Sequence, residues 1–134
     1  DAAPHHDRAW RNLRLLAEEV AERIRARIAD LPFALADGQQ LAVTASIGFV
    51  AYPLLARAPL AASWEDAVAL ADRLLMAGKR AGRNAWVGLF VERESGAPER
   101  SLDWADPARV ECGDVRIESN LPLARVVEAL GLRP

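Results

Sequence analysis

Cysteine is nearly absent from this chain: Cys112 stands alone among 134 residues. A lone thiol excludes an internal disulfide framework and a cysteine zinc cluster, and it fits a reducing compartment. An excess of either charge is also lacking, since 17 Lys and Arg face 19 Asp and Glu, for a formal net charge of −2. That balance excludes a general nucleic-acid or membrane-surface binder acting by bulk electrostatics, so any anion site has to be local. No apolar run is long enough to span a bilayer, and no signal peptide heads the chain; a cytoplasmic location is expected. There is no internal repeat and no low-complexity segment. What the chain does have is aliphatic content. Hydrophobic residues make up 51%, enough for a real core and unlike a disordered composition. The length suits one domain. The chain opens at Asp1 without a methionine, which predicts a piece of a longer protein with a sensor region or membrane anchor upstream.

Apolar periodicity predicts a helix over about 7–29, with Leu13, Leu16, Ala17, Val20, Ile24 and Ile28 on one stripe. Asp7 is its expected N-cap, and Leu31-Pro32 its end, because proline disfavours helical geometry at the preceding residue. Asp37-Gly38 is a turn signal leading into a strand over about 40–52. There Leu41, Val43, Ala45, Ile47 and Phe49 alternate with small residues that include Gly48. A bare Gly48 invites close approach by backbone or ligand. Pro53 to Ala62 reads as a loop. Ser63 and Asp66 form a capping-box pattern for a helix running to about Arg80. Its expected buried stripe is Trp64, Val68, Ala71 and Leu75, with Ala67 and Leu74 beside it. Gly82 is its expected stop. Ala85 to Val91 is a short apolar strand. Beyond it, Glu92 to Pro107 reads as a linker, Arg109 to Glu118 as a small hairpin turning at Cys112-Gly113-Asp114, and 121–130 as a last helix capped by Asn120 and stopped by Gly131. The pattern is mixed α/β (α+β): helix, strand, helix, strand, then a hairpin and a helix.

The most specific run is Ala71-Asp72-Arg73-Leu74-Leu75-Met76-Ala77-Gly78-Lys79-Arg80-Ala81-Gly82-Arg83-Asn84. It sets Lys79 and Arg83 four residues apart at a helix end, a spacing that shares one helical face. A flexible ammonium beside a forked guanidinium suits a polyphosphate; cations at a helix C-terminus also simply complement the helix dipole. The other candidates are weaker. Thr44 and Ser46 lack a base to activate them. His5-His6-Asp7 has no further ligands for a metal and belongs to a terminal segment. Cys112 has no activating cation beside it. Gly78-Lys79-Arg80 lacks the glycine frame and the following Ser/Thr of a phosphate loop.

Together with Val43-Thr44-Ala45-Ser46-Ile47-Gly48-Phe49-Val50-Ala51-Tyr52-Pro53, this run resembles the C-terminal half of a GGDEF domain, the diguanylate cyclase family. The resemblance covers about residues 4–90, leaving 91–134 as a C-terminal extension. It implies a partial GGDEF, nucleotidyl-cyclase-like fold and a parent protein that condenses two GTP into cyclic di-GMP in bacterial signalling. It implies that Lys79 and Arg83 contact the terminal phosphate of GTP, and that Arg23 aligns with an arginine that in some members binds inhibitory cyclic di-GMP. The run departs from the family pattern at Leu74, Met76 and Gly78. The GGDEF signature itself, its acidic metal ligands and the guanine-recognising residues are absent from these 134 residues. Mg²⁺ and GTP are therefore implied for the parent, while this chain alone is expected to be inert. The missing first strand and hairpin predict an exposed sheet edge and self-association. Two other readings compete. One is a degenerate GGDEF module acting as a nucleotide- or protein-binding regulatory domain; the other is an unrelated α/β interaction domain.

Overall fold

The computed structural model describes residues 4–54, 62–92 and 114–132. The expected linker past Glu92, most of the loop to Ala62, and the first hairpin limb with Cys112 lie outside the described residues, as do the side chains of His5, His6 and Asp7. The described residues form a mixed α/β structure, as the patterning predicts.

Helix α1 spans Pro4–Asp30. It opens earlier than an Asp7 cap would allow, on a proline, which tolerates the first helical turn because no N–H is needed there. It ends where Pro32 requires. Its apolar stripe forms but is not covered: Leu13, Leu16, Val20 and Ile24 are 45–56% exposed, and on this helix only Ala21 is buried among the described side chains.

The strand expected over 40–52 divides in two. β1 (Phe33–Ala34) and β2 (Gln40–Leu41) make a short antiparallel hairpin. Gly38 closes it at φ 83°, its amide donating to the Leu35 carbonyl oxygen at 3.0 Å. Residues 42–46 join no ladder, and β3 covers only Ile47–Val50. The alternating pattern permits a strand, but a strand exists only where a neighbour accepts its hydrogen bonds. Among the described residues, β3 has such a neighbour on one side alone.

That neighbour is β4 (Trp86–Val91), buried at all six positions. β4 lies between β3, parallel to it, and β5 (Val115–Ser119), antiparallel to it. A strand buried on both faces reads as a continuous apolar run, and Trp-Val-Gly-Leu-Phe-Val does. One face carries Val87, Leu89 and Val91 into the main core. On the other face, the Phe49 ring covers Gly88 and sits 5.9 Å from the Trp86 ring and 5.8 Å from that of Phe90.

Helix α2 (Trp64–Ala81) opens with the expected capping box: the Ser63 side chain accepts from the Asp66 amide, and the Asp66 carboxylate accepts from the Ser63 amide at 2.9 Å. Its buried face is Ala67, Leu70, Leu74, Ala77 and Gly78, so Ala67 and Leu74 are buried as expected, whereas in the expected stripe Trp64 and Val68 are exposed and Ala71 and Leu75 only half-buried. Gly48 is the physical reason. α2 lies so close over β3 that a Cβ at Gly48 would meet the Ala71 carbonyl and the Leu75 backbone. Seating Ala71 and Leu75 on that glycine turns Leu70 and Leu74 into the core and leaves Trp64 at the rim.

Helix α3 (Leu123–Ala129) adds Val126 to the core. Its N-cap is Pro122, without a side-chain cap bond, so the expected Asn120 cap is not used. Gly131 ends the segment at φ 77°, as expected. The described part of 109–118 pairs with β4, so this part of the C-terminal segment extends the sheet.

Candidate functional site

The candidate site is the reversal between α2 and β4. At the helix end, the amides of Gly82 and Arg83 both donate to the carbonyl oxygen of Gly78, the latter at 3.0 Å. A bond spanning six residues there is the Schellman pattern that satisfies orphan helix carbonyls. Gly82 (φ 147°), Arg83 (φ 61°) and Asn84 (φ 49°) then follow in the left-handed half of backbone space. Glycine enters it freely, but a residue with a Cβ pays about 1–2 kcal/mol. Gly78 has a packing role: a Cβ there would lie 3.3 Å from Val87 Cγ2, so its glycine lets α2 sit close to β4.

Lys79 lies exposed in the last turn of α2. Arg83 is exposed too, but it stands beyond the helix end, so helical spacing does not put the two on one face. The turn places Arg83 at the same end of α2. Neither side chain makes an ion pair or a hydrogen bond among the described residues, which leaves both cations available to an anion.

The turn is tied to the rest of the molecule by a polar network. Arg25 on α1 grips Glu22 through Nε (2.9 Å) and Nη2 (2.5 Å), and its Nη1 donates to Asn84 Oδ1 at 2.9 Å. Glu22 Oε2 also accepts from the indole N–H of Trp86 at 2.8 Å. From the other side, Asn120 accepts from the Trp86 amide at 2.8 Å and donates to the Asn84 carbonyl at 3.3 Å. The Arg25 hydrogen bonds hold the Glu22 carboxyl below its ordinary pKa, and Glu22 in turn raises that of Arg25. The spacing of charges on α1 hinted at Glu22–Arg25, since residues three apart are helical neighbours. Nothing local in the sequence pointed to Asn120, which is 34 residues from Trp86. Arg23, which the resemblance led us to expect at an inhibitory site, is exposed on α1; it is Arg25 that reaches the turn.

Two apolar clefts flank β3. A cavity of about 250 Å³ is lined by Trp10, Leu13, Arg14, Phe49, Tyr52 and Phe90. The other, about 340 Å³ and more open, lies on the α2 side beside Trp64 and Val68. In the described structure, Trp10 Nε1 and Arg14 Nε are buried without hydrogen-bond partners. Among the described residues, no group of three or more His, Cys, Asp or Glu side chains is clustered so as to hold a metal ion. Among these residues, no helix is long and apolar enough to cross a membrane.

No protein-family model matches this chain, and no solved structure does. Over 68 residues the chain is 38% identical to the uncharacterized protein YhcK of Bacillus subtilis (strain 168); the match takes in 51% of this chain and 18% of that protein. The chain thus spans less than a fifth of this relative's length.

Proposed function

We propose that this chain is the C-terminal part of a GGDEF domain, and that it supplies the phosphate grip of a diguanylate cyclase through Lys79 and Arg83. The carrying observation is that both cations stand at one end of α2 without an ion pair among the described residues, with Arg83 presented by a turn that Asn84 anchors. Phosphoryl transfer needs positioning and charge stabilisation more than covalent chemistry from the protein. Lys79 contributes a mobile point charge to a terminal phosphate, and Arg83 a planar fork that can bind two oxygens. The open stripe of α1, and a side of β3 that no described strand pairs with, are consistent with a neighbouring strand and hairpin supplied from elsewhere.

In the parent, Mg²⁺ would further neutralise phosphate charge, held by acidic residues that the resemblance places ahead of Asp1. On this reading the chain alone is inert. GTP as substrate, cyclic di-GMP as product, dimerisation and an upstream sensor belong to the parent. Two of the three departures from the family pattern are packing positions: Leu74 is fully buried, and Gly78 sits against Val87. They therefore lend no weight to a degenerate regulatory module. The coding sequence ahead of Asp1 tests the reading. It should encode a G-G-[DE]-E-F hairpin preceded by a strand with an aspartate. A hairpin lacking the acids would favour the nucleotide- or protein-binding module, and a start codon directly before Asp1 would overturn the cyclase reading.

A further inference from the structure

Asn84 is held from two directions by residues far away in sequence. Arg25 bonds its side chain at 2.9 Å, and Asn120 bonds its carbonyl oxygen at 3.3 Å. We propose that Asn120 and Arg25 are positioning residues for the anion grip: by fixing Asn84 they set the direction in which Arg83 leaves the turn. The inference rests on the reading of Lys79 and Arg83 as phosphate ligands.

The turn needs such a clamp. Arg83 and Asn84 occupy consecutive left-handed conformations, which persist only where surrounding structure over-determines them. Released from Asn84, the backbone at Arg83 returns to commoner geometries and its long side chain points elsewhere. A misdirected guanidinium loses its two-oxygen fit to phosphate.

Asn120 is not occupied as a helix cap. It does not cap α3, whose cap residue is Pro122. It follows the end of β5, where Ser119 pairs with Val87, and its amide group spans the start of β4 and the turn before it. The two ends of that group do different work. Oδ1 accepts from the Trp86 amide and extends the ladder, while Nδ2 donates to the Asn84 carbonyl and holds the turn. The C-terminal segment, which lies outside the GGDEF resemblance, thereby takes part in setting the grip. Arg25 does the same from α1, and its guanidinium is itself fixed by the two hydrogen bonds it donates to Glu22.

Asn120→Asp separates the two functions, because aspartate keeps an acceptor for Trp86 and loses the donor to Asn84. The ¹⁵N-labelled 134-residue chain is titrated with inorganic tripolyphosphate while backbone couplings and heteronuclear relaxation are read at Gly82, Arg83 and Asn84. Asn120→Asp is expected to loosen those residues; because its new charge itself repels an anion, affinity is read in the charge-conserving Arg25→Lys, which is expected to weaken tripolyphosphate binding about fivefold, the worth of one hydrogen bond. On an Arg83→Ala background Arg25→Lys should cost nothing more; a merely structural role would add its effect there. Arg25→Lys, which loses the fork that grips Glu22 and Asn84 together, should also loosen the turn. Unchanged couplings in both variants and unchanged affinity in Arg25→Lys overturn the proposal. If the wild-type chain shows no tripolyphosphate response at Lys79 or Arg83, the grip reading fails, and the couplings alone then decide whether Asn120 and Arg25 hold the turn.

Discussion

Replacing Gly48 with alanine should push α2 off the sheet. The added Cβ would run into the Ala71 carbonyl oxygen and lie 2.5 Å from the Leu75 amide nitrogen and 2.9 Å from its Cβ. Carbon atoms in comfortable contact sit about 3.5–4.0 Å apart, so the helix must retreat by about 1 Å. Overpacking costs about 1–3 kcal/mol where side chains can adjust. Here the obstacle is helix backbone, so the expected loss is at the upper end, about 3 kcal/mol. For a domain of this size that is a fall in Tm of about 10 °C. Gly78→Ala is the control. Its Cβ would lie 3.3 Å from a Val87 methyl that can yield, and alanine gains about 1 kcal/mol of helix propensity, so Tm should barely move. Thermal unfolding followed by circular dichroism reads both variants. A Gly48→Ala protein melting within about 2 °C of wild type would refute the close α2–β3 seating from which the site is built.

Lys79→Ala and Arg83→Ala should leave Tm nearly unchanged, within about 0.5 kcal/mol, because both side chains are exposed and unpaired among the described residues; calorimetry checks this before any binding assay is interpreted. The Glu22 carboxyl, held low chiefly by its hydrogen bonds from Arg25, binds its proton more readily in the unfolded chain. Its stabilisation is therefore full above the ordinary glutamate pKa and fades as pH falls through the lower folded value. Glu18 works in the opposite sense, since burial raises its pKa and its ionisation opposes folding as pH rises. Acid denaturation of Glu22→Gln should lose the Glu22 limb only, and an unchanged profile would count against the network. The chain should also self-associate through the uncovered Leu13–Leu16–Val20–Ile24 stripe and the free side of β3; Leu16→Glu should reduce association in sedimentation, and a monodisperse wild-type monomer contradicts it.

Elements fixed by local chemistry were legible in the sequence. The Ser63–Asp66 box starts α2 and Gly82 ends it, because capping is decided within a few residues. β4 was legible because burial on both faces leaves an unbroken apolar run. The phase of α2 was not. Ala67, Val68, Leu70, Ala71, Leu74 and Leu75 spread apolar surface around much of the helix, and only the contact with Gly48 selects which part is buried. The 40–52 strand was over-read for a related reason: alternation is a property of the segment, but pairing is a property of its neighbours. At the proposed site, the sequence shows Lys79 and Arg83 as a spaced pair of cations. Their setting was not legible, because Arg25 and Asn120 reach Asn84 across 59 and 36 residues of sequence.

The most direct test of the phosphate grip is a ¹⁵N titration of this chain with GTP, run beside one with guanosine. Two charge-assisted contacts worth about 1.5–3 kcal/mol each imply a Kd between about 40 µM and about 6 mM. The account predicts GTP-dependent shifts centred on Lys79 and Gly82–Asn84, with none from guanosine. No response there at about 10 mM GTP, or an equal response to guanosine, would contradict it.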